Sequence, residues 1–188
     1  MRVTAQQWLA FGPRSSLRRR NNRFSKGRSA LHHPRPQALY IAARCPTMRL
    51  SLSSLKVTQP AVWPVTPEYL ALADSALDML WRERQAERGN EHHGHRAGSC
   101  KFAALLAQAL FGGRLAGNDE HVFVVLADGT LLDLNEKQPD VTALGAKAWD
   151  RHDFVLAHSD YRTALGSCLP RVNRWVNRVK EATTTDSI

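Results

Sequence analysis

Apolar residues recur at intervals of three and four from Tyr69 onward: Tyr69, Leu72, Ala73, Ala76, Leu77, Leu80 and Trp81. That spacing predicts a helix with one face on a core. Thr66-Pro67-Glu68 supplies its start, with an N-cap hydroxyl, proline in the first turn and an acid beside it. Arg82 to Arg88 is charged, and Gly89-Asn90 ends the run near Arg88. A second run, Cys100 to Phe111, is apolar nearly all round and stops at Gly112-Gly113. Such a helix belongs in the middle of a domain. Arg114 to Glu120 reads as a polar loop, His121 to Ala127 as a strand, Asp128-Gly129 as a turn and Thr130 to Asn135 as the returning strand. His152 to His158, around Phe154, Val155 and Leu156, reads as a third strand. The end is helical, in a short piece after Asp160 and then from Pro170 to about Glu181, where Val172, Trp175, Val176 and Val179 form a buried stripe. Residues 48 to 66 are extended and punctuated by proline. The pattern is α+β, and no internal repeat is present.

Charge divides the chain further. Of the 188 residues, the first 67 hold twelve Lys and Arg and no acid, whereas 68–188 hold fourteen basic and all 17 acidic side chains, a net of −3. The overall charge of +9 therefore belongs to the leader. It gives no ground for specific nucleic-acid binding by the domain behind it. Residues 1–47 interleave arginine with Ser, Asn, Gly and Pro and show no apolar periodicity. Three readings stay open for them: an untranslated extension upstream of a start at Met48, a disordered basic tail, or a targeting segment. The expected organisation is a leader over 1–47, one domain over 48–181 and a disordered polar tail over 182–188. No run approaches the ~18 apolar residues needed to span a membrane. Oligomeric state is not legible.

Cys45, Cys100 and Cys168 are odd in number, far apart and without a CxxC pair. That argues against a disulfide framework and a cysteine zinc site, and for a reducing, cytoplasmic setting. Glu91-His92-His93-Gly94-His95-Arg96 crowds three histidines into one loop, but zinc sites draw ligands from separate elements. An exposed polar connection is the expected reading, with a cleft-lining loop or a metal site as the alternatives.

The candidate chemistry lies in 98–135. A thiol attacks carbonyls as the thiolate, which a helix N-terminus and a neighbouring imidazole both favour. Cys100 stands in the first turn of the apolar helix, behind Gly98 and a capping Ser99, and the free N–H groups there suit an oxyanion. His121 would be the base and Asp133 its orienting partner. Hairpin parity decides whether that pair can meet. A two-residue loop at Asp128-Gly129 pairs Val124 with Asp133 and puts Asp133 on the face opposite His121. A three-residue loop Ala127-Asp128-Gly129, with Gly129 left-handed, pairs Leu126 with Thr130 and Phe123 with Asp133. His121, Asp133 and Asn135 then share a face, with roughly 5–8 Å between the Cβ atoms of His121 and Asp133. Asn135 is the alternative triad member in that register. Cys168, with His158 upstream, is the competing thiol.

These residues resemble the transglutaminase-like branch of the papain-like cysteine peptidase superfamily. The likeness rests on Gly98-Ser99-Cys100 before an apolar helix, a strand opening at His121, and a returning DGTLLDL that carries Asp133. That branch usually has a small residue and then Trp after the histidine, where Val122 and Phe123 stand here. The resemblance implies a papain-like fold, its cysteine helix packed on a small antiparallel sheet. It implies a Cys-His-Asp amide hydrolase or acyl transferase for a protein or peptide substrate, needing neither organic cofactor nor metal. His121 to Gly129 is also similar to the strand pair of NlpC/P60-type cell-wall peptidases, which favour Asp-Cys at the nucleophile and lack the Asp133 equivalent. A catalytically inactive papain-like domain serving as a protein-binding module is the remaining alternative. It would show the even hairpin or a Cys100 sealed in the core.

Overall fold

The computed structural model describes residues 51, 55, 57–91 and 93–185. The leader therefore lies outside the described residues. Helix α1 (Pro67–Glu87) begins as its sequence dictates, with Tyr69 N–H donating to Thr66 Oγ1 at 3.5 Å. Ala73, Ala76, Leu77, Leu80 and Trp81 form its buried face. Helix α2 (Cys100–Phe111) is buried on almost every side, from Phe102 through Ala107 and again at Leu110 and Phe111. It packs on the sheet and on the C-terminal helix α5 (Ser159–Thr185), and the Phe102 ring lies between Trp81 and Trp175 at 5.8 and 5.4 Å. Ion pairs from Glu83 to Arg178 and from Glu87 to Arg171 join α1 to α5 at their rims.

The sheet is antiparallel with three strands in sequential order, β1 (Arg114–Gly117), β2 (Val122–Val125) and β3 (Leu131–Leu132). Val124 pairs with Leu132, Val125 with Leu131, and Leu126 N–H donates to Thr130 O at 2.9 Å. The hairpin loop is thus Ala127-Asp128-Gly129, with Gly129 at φ 88°, a conformation glycine adopts without steric cost. This is the odd register. Continued by one pair, it sets Phe123 opposite Asp133.

Four expectations are corrected. Arg114 to Gly117 is an edge strand rather than loop, since Gly112 and Gly113 turn the chain straight out of α2 into pairing with β2. The third strand expected over His152 to His158 is instead the short helix α4 (Asp153–Ala157). A run of seven residues with three central apolar positions suits one helical turn as well as a strand, and here the turn buries Val155 and Leu156. It follows α3 (Pro139–Leu144) and a 3₁₀ turn (Gly145–Trp149). The two C-terminal helical pieces are one helix, α5, which carries Pro170 in its interior. That helix runs to Thr185, past the boundary expected at 182, and 186–188 lie outside the described residues. The molecule is α+β, and no helix among the described residues is long and apolar enough to cross a membrane.

Candidate functional site

Cys100 opens α2 and is partly exposed. Ser99 before it is fully buried but does not cap the helix with its side chain, contrary to the sequence expectation. Its Oγ instead accepts a hydrogen bond from Asn135 Nδ2 at 2.7 Å. The chain reaches Cys100 through Gly98, at φ 76°, whose N–H donates to Asp140 Oδ2 at 2.7 Å.

His121 is 1% exposed and ends the loop between β1 and β2. Asn118 shapes that loop. Its Oδ1 accepts from the N–H groups of Glu120 and His121, both at 2.9 Å, and its Nδ2 donates to Lys147 O and Asp150 O. Gly117 lies so close that a Cβ there would run into the His121 carbonyl oxygen. Trp149 meets the imidazole edge-on at 6.1 Å and Phe123 at 5.6 Å, closing that side of the ring to water.

His121 Nε2 lies 2.9 Å from Asp133 Oδ2, and both side chains are 1% exposed. With Nε2 on the carboxylate, Nδ1 is the ring nitrogen left for the thiol. Burial by itself lowers the affinity of the ring for a proton. Its interactions with Asp133, and next with Cys100, outweigh burial and raise the pKa to about 9. The other Asp133 oxygen, Oδ1, accepts from Asn135 N–H at 2.8 Å. The structure therefore brings Cys100, His121 and Asp133 together, as the odd register allows.

Asn135, the alternative partner for the ring, is occupied elsewhere. Its Nδ2 is on Ser99, and its Oδ1 accepts from Arg96 Nε at 3.5 Å. Cys168 is buried in α5, where its S–H donates to Ala164 O at 3.4 Å and burial pushes the thiol pKa up. It is no rival to Cys100. In the histidine loop, His93 is exposed, and His95 accepts from Ala97 N–H at 3.3 Å through Nδ1. His92 lies outside the described residues. Among the described residues no group of three His, Cys, Asp or Glu is placed to hold a metal ion.

Arg96 was hidden in the sequence as one more charge in a polar loop. It is 4% exposed and donates to Leu134 O at 2.6 Å and to Asp74 Oδ1 at 2.5 Å. Tyr161 was also missed. Burial first, then the charges of Cys100 and Asp119, hold its phenol protonated, and Lys101 Nζ sits 5.2 Å from its ring centre. Neither residue belongs to a motif. Only the approach of 134–138 and of α5 to the start of α2 gives them their places. Comparison with family models, with curated proteins and with solved structures returned no match. The case for a function rests on the geometry of Cys100, His121 and Asp133.

Proposed function

We propose that the chain is a transglutaminase-like cysteine hydrolase or acyl transferase of papain-like fold, acting on an amide bond of a protein or peptide. The observation that carries this reading is the buried His121–Asp133 pair, 2.9 Å apart, beside a partly exposed Cys100 at a helix N-terminus. A buried carboxylate fixes the ring tautomer and favours imidazolium. That is the state the histidine must adopt once it has taken the thiol proton.

In the proposed cycle the Cys100 thiolate attacks the substrate carbonyl carbon, and the carbonyl π electrons move to oxygen. At the start of α2 the N–H groups of Phe102 and Ala103 bond Ser99 O, so those of Cys100 and Lys101 ahead of them suit that oxyanion. Collapse of the intermediate breaks the C–N bond as imidazolium gives its proton to the departing amine, leaving a thioester on Cys100. Water or a second amine, deprotonated by the now neutral His121, attacks the thioester and releases Cys100 as thiolate with His121 reprotonated. The same base and acid serve both halves. The odd hairpin register and the partial exposure of Cys100 are the two conditions that separate this reading from an inactive binding module.

The test is the pH dependence of Cys100 alkylation by iodoacetamide, with Cys45 and Cys168 replaced by serine and alanine in every protein compared. An ion-paired thiol reacts in mildly acidic solution and loses that reactivity in His121→Ala. A thiol equally slow with and without His121 would overturn the enzyme and leave a folded binding domain.

A further inference from the structure

Asn135 joins the two halves of the site. Its backbone N–H holds Asp133 Oδ1 at 2.8 Å, and its side-chain Nδ2 holds Ser99 Oγ at 2.7 Å, one residue before Cys100. Both Asn135 and Ser99 are 0% exposed. Arg96 seats this link from beneath, donating to Leu134 O and Asn135 Oδ1 while its own N–H donates to Gln138 Oε1 at 2.5 Å. Gly98 N–H to Asp140 Oδ2 makes a further tie between the same two segments. The stretch before the cysteine and the stretch after the aspartate are laced together by side chains, without any strand pairing between them.

We propose that Asn135 is a positioning residue, a rigid link that sets the distance between the His121–Asp133 pair and Cys100, with Ser99 as its anchor on the cysteine side and Arg96 as its support. The inference rests on the thiol site proposed above. Its physical ground is that the carboxylate is held at both oxygens, one by the ring and one by Asn135 N–H, so the ring's partner keeps its place only while Asn135 keeps its own. Asn135 in turn cannot move without breaking its bond to the residue that precedes the sulfur. Buried hydrogen-bonded chains of this kind impose one geometry because each unmet partner is costly. Ser99 thus gives up its capping role to hold the cysteine in register with the base.

The experiment measures iodoacetamide alkylation of Cys100 at about pH 6.5 and about pH 10, on either side of the ring's titration. It uses the full chain lacking the other two cysteines, as wild type at Cys100 and its surroundings, Ser99→Ala, Asn135→Ala and the double variant. The rate in alkali, where the thiol ionises without help, is the internal control for access to the sulfur. Ser99→Ala should lower the ratio of the mildly acidic rate to the alkaline rate by about tenfold, the worth of one buried hydrogen bond to a constrained group. The double variant should lose no more than Asn135→Ala, because both changes cut the same link. A wild-type ratio in Ser99→Ala overturns the proposal, and this variant decides alone if Asn135→Ala does not fold. Strictly additive losses in the double variant also overturn it. If His121→Ala itself keeps the parent's ratio, the thiol site has failed and the link falls with it, an outcome distinct from failure of the link alone.

Discussion

Replacing Asp133 by Asn keeps the shape of the side chain and an acceptor for Asn135 N–H, but removes the charge facing His121. The size of the effect follows from the ring's surroundings. The rise from the ordinary 6.5 to about 9 amounts to about 3 kcal/mol in favour of imidazolium in the folded protein, at about 1.4 kcal/mol per unit. A histidine whose folded pKa is raised binds its proton more tightly when folded. Its contribution is fully present below pH 6.5 and is lost as pH rises through about 9. In Asp133→Asn the burial that disfavours charge remains, while the largest favourable contribution is gone. The ring should then titrate well below 9, with only its interaction with Cys100 left to oppose burial. The assay is the pH titration of the His121 Cε1–H resonance, assigned with His121→Gln. Urea unfolding of both proteins at the two ends of the range accompanies it, and wild type should lose more stability than the variant, by up to about 3 kcal/mol, on going from mildly acidic to alkaline solution. A midpoint that is ordinary in wild type, or unmoved in Asp133→Asn, would refute the reasoning, because either result means the carboxylate does not charge the ring.

Gly117→Ala should destabilise the fold by about 2–4 kcal/mol in urea unfolding, since its new Cβ meets the His121 carbonyl and lies 2.8 Å from Val122 Cα, backbone that cannot step aside. An unchanged unfolding midpoint would mean that the β1–β2 approach is looser than this geometry. Pro170→Ala, at an exposed position inside α5, should raise stability by about 1–3 kcal/mol by restoring a helical N–H and removing a ring clash. Thermal unfolding reads this gain, and alkylation of Cys100 should be unaffected by it.

Local chemistry wrote part of this molecule into its sequence. The start of α1 is fixed by Thr66 and Pro67 acting within one turn, and the central place of α2 by side chains that are apolar all round. Asp128-Gly129 marks the hairpin but allows a two- or a three-residue loop, so the shared face of His121 and Asp133 was one of two possibilities, and the fold chose it. Where the deciding contacts are remote, the sequence was silent. Val155 and Leu156 suit a strand or a helical turn, and only their burial in the folded molecule shows the turn to be helical. Asp133 and Asn135 lie on one face of the hairpin and have similar shapes. The choice between them as partner for the ring was made by Ser99 and Arg96, which engage Asn135 from segments some forty residues upstream. Arg96 looks like solvated charge until Asp74, Leu134 and Asn135 surround it. The sequence by itself determined which side chains could do the chemistry and reduced their shared strand face to a choice between two hairpin registers. The tertiary structure decided which of them meet, because hydrogen bonds across long stretches of chain depend on how helices and sheet pack and leave no periodic trace in the residues that make them.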